Sequence, residues 1–370
     1  MRRSRLVVVL AALVVAAGLS AALGLRILSP ARAAVGPLPG AALALPAEAN
    51  VVGGFDVRRL LDSPLYAKFL ADKEDELPAE VREFQERTGV NPQTDIDQIV
   101  AAGWKKESGK GTGAVVALGR FDVAKISAFI EAEAEGVTWK KVAGSTMYLI
   151  NEEPEESEEP KEGEEHSEGE EGEEHKEASG PGALSFLGDG AIVFGAPSAV
   201  ESTLTNFAAG GGHGLEANAE LIGRVGALRP DAALWVVGDA TALSAAPQAV
   251  PGPGGGGMKI PPLKSLSLTG DFDPAVAIEL VGEAADLEAA TQLADMLRGL
   301  VAFASMQASQ KPELKDLATA ISVTTEELLV RVSARFPYEL IESLKAQASP
   351  AEVAPDEAEV EAEAEPKAEK

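Results

Sequence analysis

The segment Pro46-Ala-Glu-Ala-Asn-Val-Val-Gly-Gly54 has a partial match later in the chain, in Pro230-Asp-Ala-Ala-Leu-Trp-Val-Val-Gly238. A second pair, Gly119-Arg-Phe-Asp122 and Gly270-Asp-Phe-Asp273, shares its glycine and its Phe-Asp. Self-similarity of this kind is typical of duplicated architectures. The competing explanation is chance similarity in a chain rich in alanine and valine.

Each matched segment opens a region with the same order of elements, namely strands, a helix, a hairpin and a further helix. Apolar and β-branched runs predict hairpins of Thr138–Val142 with Thr146–Ile150 and of Leu263–Thr269 with Val276–Gly282. We therefore predict an α+β fold of two weakly similar halves, with mainly antiparallel sheets and helices packed on one face.

Helix starts are predicted from capping residues. Ser63 before Pro64 predicts the start of a short helix, and Asp286 is expected to cap a long one. Ser198 and Glu201 have the spacing of a capping box for another helix. In the long helix, Leu287 begins an apolar stripe that is expected to be buried.

Shifts in composition divide the chain into regions. They are a signal peptide or membrane anchor (1–33), a tether (34–44), a first α+β half (45–227), a second α+β half (228–348) and a disordered acidic tail (349–370). The first half contains a disordered acidic insertion, 151–182, between strand-like segments. We expect these two segments to belong to one sheet.

The N-terminus predicts export. Arg2, Arg3 and Arg5 precede the uncharged run Leu6–Leu25, which as a helix is about 30 Å long and matches the hydrocarbon core of a bilayer. This length favours a retained inner-membrane anchor with the C-terminal bulk facing the periplasm or exterior. The tripeptide Ala31-Arg32-Ala33 instead fits a cleavage site, after which the protein would be secreted.

Composition excludes several classes of function. The chain has no cysteine, which excludes disulfides, thiolate chemistry, cysteine-bound metals and lipoprotein acylation. Its formal net charge is -27, and no basic stripe exists to neutralise phosphates. Nucleic acid is therefore not an expected partner.

No motif carries a complete catalytic set. Gly252-Pro-Gly-Gly-Gly-Gly257 lacks the flanking strand and helix of a dinucleotide site, and the three histidines lie in acidic or glycine-rich segments that cannot position a base. Asp56, Asp122 and Asp273 each follow a phenylalanine at a strand end and are interpreted as caps or turn residues. We predict no catalytic residue, no bound cofactor and no enzyme, although carboxylate-only catalysis stays open.

The acidic insertion contains the one candidate metal site. Gly163-Glu-Glu-His166 recurs as Gly172-Glu-Glu-His175, which brings two imidazoles among many glutamates. The candidate ligands for a weakly bound divalent cation are His166, His175, Glu164, Glu165, Glu173 and Glu174. The alternative is a solvated acidic loop that binds nothing, because an unfolded ligand set loses entropy when it orders around a metal.

The chain also resembles a loose class of uncharacterised exported bacterial proteins of the domain-of-unknown-function type. The residues that carry this resemblance are Leu45-Pro-Ala-Glu-Ala-Asn-Val-Val-Gly-Gly-Phe-Asp56, Ser63-Pro-Leu-Tyr66 and Phe186-Leu-Gly-Asp-Gly-Ala-Ile-Val-Phe-Gly195. The resemblance covers roughly residues 45–345 and implies no activity and no site residues. The acidic insertion departs from it.

Export without a catalytic set predicts a non-enzymatic cell-envelope protein that binds or scaffolds. Its expected partners are the membrane, through an uncleaved N-terminal helix, and an envelope protein of unknown identity. Two alternatives stay open. One is a cation-binding protein that acts through its Glu/His-rich loop, and the other is a carrier of an apolar ligand held between sheet and helices.

Overall fold

The computed structural model describes residues 38–71, 79–106, 108–109, 111–133, 137–150, 182–229, 232–243, 249–251, 257–308 and 320–348. The predicted N-terminal anchor or signal, residues 151–181 of the acidic insertion and the acidic tail lie outside these ranges.

The described strands are β1 (Val51–Asp56), β2 (Ile96–Lys105), β3 (Gly111–Gly119), β4 (Val137–Val142), β5 (Ser145–Ile150), β6 (Gly182–Phe186), β7 (Ala191–Gly195), β8 (Leu234–Asp239), β9 (Ala249–Pro251), β10 (Gly257–Lys259), β11 (Leu263–Asp271), β12 (Val276–Ala284), β13 (Ile321–Glu326) and β14 (Leu329–Phe336). The described α-helices are α1 (Gly40–Leu43), α2 (Val57–Leu61), α3 (Ala79–Thr88), α4 (Pro92–Asp95), α5 (Val123–Glu133), α6 (Pro197–Ala209), α7 (Ala219–Gly226), α8 (Ala240–Leu243), α9 (Leu287–Ala308) and α10 (Tyr338–Ala348). A π-helical turn (Tyr66–Leu70) and a 3-10 turn (Leu215–Ala217) complete the set. Across the described residues, no helix is both long enough and apolar enough to span a bilayer.

Twelve strands form one sheet in the order β13-β14-β12-β11-β8-β1-β2-β3-β7-β6-β5-β4, while β9 and β10 pair with each other. Every pairing within the sheet is antiparallel. The predicted mixed α+β class with mainly antiparallel strands is therefore confirmed. We call β1 to β7 the first half of the sheet, and β8, β11, β12, β13 and β14 the second half. The two halves meet where β1 pairs with β8.

The two faces of the sheet can be followed residue by residue through the register. We call the face that carries Val52 and Val237 the front, and the opposite face the back. On the back, one row of apolar residues crosses all twelve strands, namely Val323, Val332, Leu280, Leu268, Val236, Gly53, Ala101, Val115, Phe194, Leu184, Tyr148 and Trp139. Alternation along each strand thus sets the side of the sheet on which each residue packs.

Helices cover both faces of the first half. On the front, α6 and α7 bury Val200, Leu204 and Leu221 in a cluster with Val116 and Val193 of the sheet. On the back, α3 and α5 bury Phe84, Phe129 and Ile130 against Leu184 and Tyr148. The expectation of helices on one face was therefore wrong. Strands such as β7 are apolar on both faces, so each face needs its own cover.

The second half is covered on the back. Helix α9 packs Ala290, Leu293 and Ala294 against Val330 in one cluster. A further cluster at the ends of the strands joins Phe55 and Phe272 to Tyr338 of α10. Both clusters therefore lie on the back or at the strand ends of the second half.

Local capping agrees with the sequence in part. The Asp286 carboxylate accepts the Ala289 N–H at 2.8 Å, as expected for an N-cap of α9. Ser63 accepts the Tyr66 N–H at 3.3 Å, but the turn that follows is π-helical. The Ser198 and Glu201 capping box was wrong, because α6 begins at Pro197 and has no side-chain cap. The prediction that Leu287 is buried was also wrong, because 65% of this residue is exposed. Ala289 and Ala290 are buried instead.

The strands on either side of the acidic insertion are neighbours. Leu149 lies opposite Ala183, and Ile150 lies opposite Gly182. The insertion therefore connects two paired strands of one sheet, as expected. The second matched pair of glycines does not lie on equivalent strands. Gly119 ends β3, which is two strands away from the central strand β1, whereas Gly270 lies near the end of β11, which is next to the central strand β8.

Candidate functional site

The front of the sheet changes character between β8 and β11. One row across it contains the polar or charged residues Thr324, Arg331 and Ser267, together with Val281, on the four outer strands of the second half. The same row continues with Val237, Val52, Ala102, Ala114, Gly195, Ala183 and Leu149 on the strands that helices cover, and ends at the exposed Thr138 of the edge strand β4. A sheet face that is aliphatic on one side of this boundary is thus largely polar on the other.

We call the polar part of the front the polar platform. It consists of front-facing residues of β11, β12, β13 and β14, namely Ser265, Ser267, Thr269, Asp271, Glu279, Glu283, Ser322, Thr324, Glu326, Arg331, Ser333 and Arg335. The apolar residues Ala277, Val281 and Leu329 interrupt it. Among the described helices, α9 and α10 pack in clusters on the back or at the strand ends, and only α7 reaches the border of the platform.

Ion pairs organise the platform. Arg331 Nη1 pairs with Glu279 Oε1 on the neighbouring strand. At the border, Arg224 of α7 pairs with Glu283 at 2.8 Å and with Glu220 of its own helix at 2.8 Å. Guanidinium groups held by carboxylates in this way keep a fixed orientation, because the paired hydrogen bonds are directional.

Glu283 is the most connected carboxylate of the platform. Besides Arg224, it accepts a hydrogen bond from Ser265 Oγ at 3.1 Å and has Lys264 Nζ at 3.8 Å. The hydrogen bond from Arg224 is the largest influence on its pKa, and together with the Ser265 bond it lowers the pKa of Glu283 despite partial burial. Glu283 is therefore a fixed negative charge of the platform at neutral pH.

Two polar groups, one on β11 and one on α7, are buried without a hydrogen-bond partner among the described residues. They are Thr269 Oγ1 and the Nε of Arg224. Thr269 is only 4% exposed. A buried polar atom without a hydrogen bond costs about 1–3 kcal/mol, so a group that bonds to Thr269 would be favoured.

On β14, the platform carries a positive charge that no described neighbouring strand neutralises. Arg335 is exposed, and none of the described carboxylates forms an ion pair with it. Asp271 is nearly buried and lies 3.9 Å from Arg229. The platform therefore combines fixed charges of both signs with serine and threonine hydroxyls, which suits recognition of another polar surface.

The acidic residues singled out in the sequence have structural roles. Asp56 caps α2 by accepting the Arg59 N–H at 3.0 Å, and Asp122 caps α5 by accepting the Lys125 N–H at 3.1 Å. Burial raises the pKa of Asp56, whereas the hydrogen bonds from Lys125 lower the pKa of Asp122. Asp273 lies in the turn between β11 and β12. The interpretation of Asp56 and Asp122 as caps is confirmed.

The candidate metal ligands His166, His175, Glu164, Glu165, Glu173 and Glu174 lie outside the described residues. Within the described ranges, no group of three or more histidine or acidic side chains is arranged to hold a metal ion.

Sequence reasoning missed the platform although a signal for it exists. In Leu263–Asp271, residues Ser265, Ser267, Thr269 and Asp271 alternate with apolar residues or glycine, and Arg331, Ser333 and Arg335 alternate in β14. The strands of the first half, such as Ala191–Gly195, lack this alternation. A period of two between polar and apolar residues indicates a strand with one polar face, although Ser265, Thr269 and Asp271 on that face of β11 are themselves buried in the structure.

In comparisons with known proteins, no family model, curated protein or solved structure matches the chain.

Proposed function

We propose that this chain is an exported, non-enzymatic protein of the cell envelope that binds a protein partner on the polar platform. The observation that carries the proposal is the boundary on the front of the sheet, where helices cover the aliphatic part and no described helix covers the charged part. Paired charges of both signs favour a partner surface with its own alternating charges, because complementary patterns fix register and exclude wrong partners.

The competing explanation is a solvated face, since antiparallel sheets often expose one polar side. A charge-swap variant distinguishes a partner-binding face from a solvated face. In the double variant Arg331→Glu with Glu279→Arg, the internal ion pair is kept but the pattern presented to a partner is reversed. We expect unchanged stability and loss of partner binding.

The measurement is site-specific photo-crosslinking in membranes that contain the full chain. A crosslinker at Ser333 of the platform should give one protein adduct, which disappears in the charge-swap variant. A crosslinker at Thr205, which is exposed on helix α6, is the matched control. Equal adducts from both positions, or an adduct at Ser333 that survives the charge swap, would contradict the proposal.

Export is a separate part of the proposal and rests on Arg2, Arg3, Arg5 and the run Leu6–Leu25. Mass spectrometry of the mature N-terminus distinguishes its two forms. A chain that begins at Ala34 would be secreted, and a chain that keeps Leu6–Leu25 would be anchored in the inner membrane. An intact N-terminus in a protein that fractionates with the cytosol would exclude both.

We also propose that the two halves of the sheet arose by duplication. The support is the strand order outward from the central pair, which is β1-β2-β3-β7-β6-β5-β4 on one side and β8-β11-β12-β14-β13 on the other, so the first half carries two further strands at its edge. In both halves a helix with an aspartate cap, Asp122 or Asp286, follows the third strand. Diverged relatives would test this, because their halves should align β3 with β12. An alignment of β3 with β11 would contradict it.

The cation-binding alternative rests on the repeated Gly-Glu-Glu-His sequence of the acidic insertion alone. Membership in the exported class of unknown function likewise stays a prediction.

A further inference from the structure

Strand β13 lies at one edge of the twelve-stranded sheet, and β4 lies at the other. Among the described strands, β14 alone pairs with β13, so one side of its backbone has no described strand beside it. Its side chains are also open to solvent, because Ser322, Thr324, Thr325 and Glu326 are all exposed. An edge of this kind is a template for pairing with a further strand.

The register of β13 determines which of its backbone groups point outward. Glu326 and Leu329 flank the two-residue turn of the hairpin and therefore exchange N–H···O bonds. The pattern recurs at every second residue, and the N–H of Arg335 accordingly donates to the Ala320 carbonyl at 3.1 Å. The even-numbered residues of β13 thus bond to β14. The outward N–H and C=O groups are those of Ile321, Val323 and Thr325.

The two edge strands differ in the features that prevent edge pairing. Strand β4 carries Lys140 and Lys141, and lysines on an edge strand discourage the approach of another strand. Strand β13 contains no lysine, arginine or proline, and four of its six residues are β-branched isoleucine, valine or threonine. Such residues favour strands. The sequence therefore protects β4 from pairing and leaves β13 open to it.

The outward side of β13 is complementary to a second copy of itself. In an antiparallel pair centred on Val323, Val323 faces the partner's Val323, and Ile321 faces the partner's Thr325. Each of these pairs exchanges two N–H···O bonds, so every outward backbone group of the strand is bonded. On the front, Ser322 faces the partner's Thr324, and hydroxyl pairs of this kind stabilise neighbouring strands. No charged side chain lies directly opposite another.

Helix α9 lies over the same edge, on the back of the sheet. Arg298 Nη2 donates a hydrogen bond to Thr325 Oγ1 at 3.2 Å. Leu297 lies in the same apolar cluster as Val323. A two-fold axis beside Val323 therefore places the α9 helices of two copies next to each other on the back.

The second half of α9 has apolar side chains that the chain does not bury. Ala294 is the last buried residue among the described side chains of this helix. The later residues include the half-buried Leu297, Leu300, Val301 and Phe303, and Met306, of which 59% is exposed. Apolar surface beside an edge strand favours a partner that brings the same surface, because one contact then covers both.

We propose that two copies of this chain form a two-fold symmetric dimer through β13, in which the sheet continues across the axis and the two α9 helices pack together. The polar platforms of the two copies then lie on the same face of the continued sheet. The dimer does not depend on the partner proposed for the platform, and either proposal can fail without the other.

The absence of cysteine makes the register directly testable in the full chain. Ser322 and the partner's Thr324 would form a non-hydrogen-bonded pair with Cα atoms about 4.5 Å apart, which a disulfide can bridge. Membranes that contain one chain with Ser322→Cys and a differently tagged chain with Thr324→Cys should give a disulfide-linked dimer on mild oxidation. Ser322→Cys alone should give at least about tenfold less, because its two copies would lie about 8 Å apart.

The matched control uses the opposite edge of the sheet. Thr138→Cys with Lys140→Cys has the same spacing on the exposed front of β4 and should also give at least about tenfold less dimer. Equal yields at β13 and β4 would reflect random collision in the membrane and would overturn the proposal. A yield from Ser322→Cys alone that equals the mixed yield would contradict the register.

A second variant tests the dimer without a crosslink. Thr325→Pro removes an outward N–H and keeps the hydrogen bonds to β14, so the full chain in detergent should change from a dimer to a folded monomer in sedimentation analysis. Lys141→Pro, at the matched position of β4, should stay dimeric.

Three results of this measurement would contradict the dimer. They are a monomeric parent protein, a parent protein whose only crosslinks at β13 are to a different protein, and a folded Thr325→Pro protein that stays dimeric. If Thr325→Pro does not fold, the cysteine variants decide the question, because they leave the backbone of β13 unchanged.

Discussion

The two halves of the front face differ in the side chains that they carry. In the first half, Val100, Val116 and Val193 are completely buried beneath helices, whereas in the second half Ser267, Ser333 and Arg331 occupy the same face without a described helix above them. The backbone is the same antiparallel ladder in both. The difference lies in the side chains, and it shows that cover by helices follows the residues on the face rather than the strand order.

The largest test of this comparison places a carboxylate on each half. Val100→Asp should destabilise the protein by about 4 kcal/mol or more, because the charge would be buried without a partner. Val281→Asp, on the platform beside Arg331, should cost less than about 1 kcal/mol. Urea unfolding of both variants measures the difference. Equal losses would mean that the second half is covered as the first half is.

The next test concerns cover on the back of the first half. Phe129 of α5 packs edge-to-face on Phe84, with ring centroids 5.3 Å apart. Phe129→Ala should cost about 3 kcal/mol in thermal or urea unfolding, because it leaves a cavity between α5 and the sheet. Leu287→Ala, at the exposed start of α9, serves as the control and should stay within about 0.5 kcal/mol of the parent. If Phe129→Ala lowered the free energy of unfolding only slightly, helix α5 would not be packed on the back of the sheet, and helices would not cover both faces.

A smaller effect is expected from pH. The pKa of Glu283 is lowered in the folded chain, chiefly by its hydrogen bond to Arg224. Its stabilising contribution is therefore present above the pKa of the unfolded chain, about 4.3, and is lost as the pH falls through the lower folded value. Glu283→Gln should flatten the acid side of the stability profile.

Glu288→Gln, at an exposed position of α9, is the comparison variant, and Glu283→Gln should change the profile more than Glu288→Gln does. If Glu283→Gln and Glu288→Gln gave the same profile, the link between α7 and the platform would not be stabilising.

The smallest effect belongs to the segment between β5 and β6. Calorimetric titration with Zn²⁺ or Ca²⁺ should give a weak heat that depends on His166 and His175, because imidazole and carboxylate groups are ligands for these cations. Deletion of residues 152–177 should remove this heat. Equal heats with and without the segment would end the metal hypothesis.

Much of the fold was predictable because its signals are local. The hairpins β4–β5 and β11–β12 follow from alternating runs, and the caps at Asp122 and Asp286 follow from residue type and position. The start of α6 was not predictable from Ser198, because Pro197 with its fixed φ begins the helix one residue earlier. The match of Gly119 with Gly270 leaves the prediction of two similar halves unconfirmed, since a strand-end motif does not specify which strand it ends.

The candidate surfaces were predictable only in part. The alternation of Ser265, Ser267 and Thr269 indicates a strand with one polar face, but no local signal tells which strands lie beside β11 or that Ser265 and Thr269 are buried. Rows of residues that cross the junction of the two halves depend still more on tertiary structure. Leu268 and Val115 are distant in sequence and share a row only because β1 pairs with β8.

The sequence by itself determined the class of the fold, the absence of cysteine chemistry and the alternation that separates polar from apolar strand faces, because these depend on composition and on neighbours within a strand. Only the tertiary structure decided that the strands of both halves form one sheet and that helices lie on both of its faces. Strand order and helix placement depend on contacts between residues far apart in the chain, and no local pattern encodes them.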